Sequence, residues 1–122
     1  MTKISKQDFG DFVRKHRLQL IPPISLRGFA EKIGISATYL SKIERGDFDP
    51  PSENTIRLIA NELKINDDQL LGMAGKVSSD VAAIITNKPV LASQFLRTSQ
   101  GFTKEKWESL IIQAENLKKG ED

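Results

Sequence analysis

The sequence predicts an all-α fold, and three observations carry that expectation. Apolar residues recur at three- and four-residue spacing along nearly the whole chain, no run alternates β-branched and aromatic residues as a strand would, and a serine, threonine or asparagine precedes most of the periodic runs. The elements follow in order. Ser5 with Asp8 three residues on approximates a capping box, after which Phe9, Phe12, Val13 and His16 share one face of a first helix. That helix ends near Leu20, because Pro22 and Pro23 supply no amide hydrogens and bias the residues before them away from helical dihedrals. Ser25 caps a second helix to about Ile33, with Gly34 suited to the left-handed turn that ends it; Ser36 caps a third that Gly46 closes. Residues 47–51 read as a loop. Ser52 opens a helix that buries Ile56, Ile59, Ala60 and Leu63, and Asn66 or Asp67 begins a short fifth through Leu70 and Leu71 to Gly72.

The last third is also helical. Ser78 or Ser79 caps a run with Val81, Ala82, Ile84 and Ile85; Pro89, acceptable in a first turn, starts another with Leu91, Ala92, Phe95 and Leu96; Thr103 caps the final one. Two domains are expected, residues 1–75 and residues 76–122, joined by no more than a short hinge within residues 72–79.

Composition removes many functions. At 122 residues and 39% apolar content the chain has enough material for one modest core. The absence of cysteine excludes disulfide scaffolds, thiolate zinc fingers and dithiol redox motifs. No run reaches the ~20 apolar residues of a membrane span, and the opening MTKISKQDFG lacks the apolar middle of a secretion signal, so a soluble, cytoplasmic protein with no membrane partner is expected. The net charge is +2: eleven basic and ten acidic residues precede Gly75, and seven and six follow it. Neither part is a basic arm, so any nucleic-acid binding must come from the placement of a few charges. No enzyme, metal or cofactor is expected, since there is no phosphate-cradling glycine loop and no ligand cluster, and the one histidine, His16, lies on an apolar face.

Residues 25–46, SLRGFAEKIGISATYLSKIERG, hold two short amphipathic runs around a single turn, the plan of a helix-turn-helix. At about 100° per residue, Leu40, Ile43 and Glu44 share one side of the third helix, while Thr38, Ser41, Lys42 and Arg45 cluster opposite. Hydroxyls, an amine and a guanidinium are donors that read base edges and grip phosphates. Spacing alone also fits an ordinary packed α-hairpin.

The run FAEKIGISATYLSKIERG followed by PPSENTIRLIANELKINDDQLL resembles the phage-repressor-like (Cro-like, XRE) helix-turn-helix transcriptional regulators over about residues 8–72. The resemblance implies a five-helix lambda-repressor-like DNA-binding domain followed by a small C-terminal helical extension. It places Ala37, Thr38, Ser41 and Lys42 at or beside base-reading positions, and Ser25, Arg27, Ser36, Tyr39 and Arg45 where the family touches phosphates. Tyr39 also fits the edge of the core. The family pairs an arginine and a glutamate at the positions of Arg17 and Glu44. Two departures stand out: Leu26 occupies the place of a usual glutamine, and the loop after Gly46, often basic in the family, is Asp47, Phe48, Asp49.

The function expected on this resemblance is a sequence-specific regulator, most simply a repressor bound as a homodimer to an inverted repeat in double-stranded DNA. The alternative is an antitoxin or regulator whose C-terminal part binds a toxin or a metallopeptidase. Trp107, Leu110, Ile111, Ala114 and Leu117 form an apolar stripe on the last helix that needs cover. Two heptads are too few for a free coiled coil, so the stripe packs on its own domain, on a second subunit, or on both.

Overall fold

The structure is a computed structural model describing residues 4–120, and among these it contains eight α-helices and no strand. They are α1 (Lys6–Gln19), α2 (Leu26–Ile33), α3 (Ala37–Glu44), α4 (Glu53–Leu63), α5 (Asp67–Met73), α6 (Ser79–Asn87), α7 (Pro89–Thr98) and α8 (Lys104–Lys119). The chain divides into two compact units between Ala82 and Ala83, within α6.

The first unit is built from capped helices. The hydroxyls of Ser5, Ser25, Ser36 and Ser52 and the side-chain oxygen of Asn66 each accept a backbone N–H in the first turn of the helix that follows. At α1 the box is complete, because the Asp8 carboxylate also accepts the Ser5 amide at 3.2 Å. Phe9 and Val13 of α1, Phe29, Ala30 and Ile33 of α2, Leu40 and Ile43 of α3, Ile56, Ile59, Ala60 and Leu63 of α4, and Leu70 and Leu71 of α5 make one buried core. The close helix pairings are α1 with α3 and α4, α2 with α3 and α4, and α4 with α5.

One close approach sets the position of α3. Gly10 is buried in α1, and a Cβ there would collide with the carbonyl oxygens of Ile43 and Glu44, so only glycine lets the two helices meet at this depth. His16 is local in its bonding. Its ring stacks on Phe12 with centroids 3.9 Å apart, and its Nδ1 lies 2.8 Å from the Phe12 carbonyl, which can only accept, so Nδ1 carries the proton.

The second unit is different in kind. Pro89 begins α7 without a side-chain cap, Gly101 turns the chain at φ 85°, and Thr103 caps α8 through the Lys106 amide at 3.2 Å. The Ser99 hydroxyl donates to the Leu96 carbonyl at 3.2 Å. Ser99 is the only buried residue of this unit among those described. No helix among the described residues is long and apolar enough to cross a membrane.

Candidate nucleic-acid interface

The outward face of α3 is held from three sides. Leu40 and Ile43 anchor it in the core, Gly10 admits it to α1, and a buried ion pair fixes its end. Arg17 Nε donates to Glu44 Oε2 and Arg17 Nη2 to Glu44 Oε1, both at 2.9 Å, a bidentate fork; Arg17 Nη1 donates to the Ile24 carbonyl at 2.8 Å. Each residue is about 5% exposed. The pair therefore ties α1 to the end of α3, and through Ile24 to the connector that enters α2.

On the far face Thr38 and Arg45 are exposed, and Ala37, Ser41 and Lys42 are half-buried. Ser41 lines an open cleft with Gln7, Asp11, Arg14, Leu26, Arg45 and the Arg17–Glu44 pair. Leu26, where a polar groove-edge contact would be usual, turns to the core and packs against it. Arg45 Nε lies 3.4 Å from Asp47 Oδ2 with both side chains more than half exposed, so the acidic loop partly neutralises this cation.

Ser25 and Ser36 stand at the starts of the two helices. Their hydroxyl oxygens accept the Gly28 and Tyr39 amides at 3.0 Å each, and each keeps its own proton free to donate. Arg27 is exposed in the first turn of α2. Two helix N-termini and a flanking arginine form an anion-attracting edge around the hydroxyl and amine face of α3. Tyr39 is half-buried against the core and leans on Phe48, ring centroids 6.0 Å apart.

Two features of this surface escape sequence patterns. Gly10 carries no periodic signal, and its importance appears only when the carbonyls of α3 are seen above it. Phe48 lies in a loop read for its acidic neighbours, yet its ring sits 5.4 Å from the Lys42 ammonium. Among the described residues no three His, Cys, Asp or Glu side chains are placed together to hold a metal ion.

Trp107, Leu110, Ile111, Ala114 and Leu117 lie on α8 without a buried member. Trp107 meets Phe95 edge to face at 6.2 Å, while Ile111 and Leu117 are 55% and 75% exposed.

Comparison with solved structures finds similarity to a chain of a complex of the SinR protein with the SinI protein, at 20% identity and a TM-score of 0.48, covering 91% of this chain and 98% of that one. Comparison with curated proteins gives no match. A family model described as helix-turn-helix matches residues 24–70, which contain α2, α3, α4 and the start of α5. This segment, whose two Ser-capped helices carry an outward face of hydroxyls and cations on a common core, is thus similar to the helix-turn-helix family over residues 24–70.

Proposed function

We propose that the chain is a sequence-specific transcriptional repressor of the cytoplasm, binding an inverted-repeat operator in double-stranded DNA as a homodimer. The observation that carries this reading is the face of α3: Thr38, Ser41, Lys42 and Arg45 project from a helix whose other side is locked by a core and a buried ion pair. In this reading Ala37, Thr38, Ser41 and Lys42 face base edges in the major groove, and Ser25, Arg27, Ser36, Tyr39 and Arg45 hold phosphates. Ala37 contributes by being small, which lets a thymine methyl approach. A single helix reads too few base pairs to select one site among genomic competitors, and two-fold repetition supplies the remaining discrimination.

The exposed apolar residues of α7 and α8 support a protein partner for the second unit. A twin chain is the simplest occupant and gives the operator its symmetry. The second reading assigns the same surface to a different protein, a toxin or a metallopeptidase.

The test is selection of genomic fragments by the purified chain in the presence of bulk competitor DNA. The expected outcome is an enriched palindrome with half-sites about 34 Å apart and a preference over random DNA of about a thousandfold or more at physiological salt. Recovery of unrelated sequences in proportion to their abundance would remove the proposal.

A further inference from the structure

We propose that Phe48 is a specificity-determining positioning residue, which holds Lys42 in one orientation and so sets which base pair that lysine selects. The inference rests on the DNA-reading assignment of Lys42 above.

Lysine carries about 2 kcal/mol of rotamer entropy and a point charge with no fixed direction, which makes an unrestrained lysine a poor base reader. In this chain it is restrained. Gly46 takes φ 77°, where a side chain would be strained and would meet Gln7, and the chain folds back over the end of α3. The Asp47 and Phe48 amides both donate to the Lys42 carbonyl, at 2.9 and 3.3 Å. Those two bonds fix the Phe48 backbone against the very residue whose side chain its ring receives. The Lys42 ammonium stands 5.4 Å from the ring centroid, within cation–π range, and Tyr39 supports the ring from the side. Lys42 is accordingly half-buried, although it belongs to the outward face, while Phe48 remains 45% exposed. The ring lies outside the buried core. A flexible amine becomes a directed one, and the direction is set from a loop that lies outside the recognition helix.

The experiment compares the wild type, Phe48→Leu, Phe48→Ala, Phe48→Tyr, Lys42→Ala and the Lys42→Ala/Phe48→Leu double variant on the recovered operator and on every single base-pair change of it. Phe48→Leu keeps an apolar side chain of similar reach beside Tyr39 and removes the π face, so it separates positioning from folding should Phe48→Ala melt early. The expected result is that Phe48→Leu lowers discrimination by about two- to fivefold, the factor a surface cation–π contact corresponds to, at the same base pairs that Lys42→Ala flattens and nowhere else. Phe48→Tyr retains the wild-type pattern, and Phe48→Leu has no further effect once Lys42 is alanine. Equal weakening on all duplexes, flattening at other base pairs, an unchanged profile, or an effect that persists without Lys42 would each overturn the proposal; the last would make Phe48 a direct DNA contact. A wild-type chain that recovers no preferred duplex is the distinct outcome that removes the DNA-reading assignment itself, and this inference with it.

Discussion

Arg17 and Glu44 illustrate how one side-chain pair separates stability from recognition at the residue scale. Both are buried and the two bonds of the fork are made, so removing either partner leaves a nearly buried charge without its counter-ion. Arg17→Ala or Glu44→Ala is expected to cost roughly 3 to 5 kcal/mol in folding, and replacing both by apolar residues of similar volume should recover part of the loss. Thermal denaturation of the four-member cycle measures this; additive losses would contradict the coupling seen in the geometry. On the opposite face the expectation reverses. Thr38→Ala and Lys42→Ala should leave melting nearly unchanged and each weaken operator binding by about 1 to 3 kcal/mol, confined to particular base pairs. Arg45→Ala should weaken all DNA alike and reduce the slope of log K against log salt by about one unit, which titration on operator and random duplex at several salt concentrations distinguishes.

At the scale of elements, helix starts were legible where a side chain does the capping, because a serine, threonine or asparagine before an apolar period has one well-defined job. Ser5, Ser25, Ser36, Ser52, Asn66 and Thr103 all perform it. Helix ends were less legible: α4 stops at Lys64, which takes the left-handed conformation at φ 60° while its neighbour's amide bonds back to Ala60, and nothing about a lysine announces that. Contacts between elements were least legible, since Gly10 and Phe48 matter only through what lies opposite them. The junction of α4 and α6 is of the same kind. Glu53, in the first turn of α4, accepts the Ser79 amide and hydroxyl at 3.1 Å each, and Arg57 at 2.8 Å. The Arg57 bond holds its carboxyl below the ordinary value of 4.5, partial desolvation opposes this, and the Ser79 bonds add to the lowering. A lowered carboxyl contributes stability that is present above its unfolded value and lost as pH falls through the lower folded one. Glu53→Gln, which keeps the shape and loses the charge, should therefore melt below the wild type at neutral pH. The gap should close as melts are repeated at steps below pH 4.5; a gap that stays constant with pH would mean that the charge of Glu53 is not what ties α6 to α4.

Charge is too evenly spread, at a net +2, for the whole molecule to hold DNA by its general field, so in the proposed reading affinity comes from joining two small reading surfaces. The second unit has the surface for that task. Leu91 and Ile111 are 66% and 55% exposed, Ile84, Val90 and Leu117 are more so, and no apolar side chain of the unit is buried among the described residues. A forty-residue helical unit without an apolar interior of its own buries little on which to order itself, and in the proposed homodimer a second copy would supply the missing half. Linking two half-site readers in this way raises affinity by about 10² to 10⁴ without any new contact to DNA. The double variant Leu91→Glu/Ile111→Glu places charges on that surface and leaves the core of α1 to α5 untouched. Sedimentation should report the monomer mass for the variant and twice that for the wild type, operator affinity should fall by about the same 10² to 10⁴, and binding to an isolated half-site should be unchanged. A variant that stays dimeric at full operator affinity would move the self-association to the first unit. A wild type that is monomeric by sedimentation and yet loses a co-purifying protein on this substitution would assign the apolar surface to that protein instead.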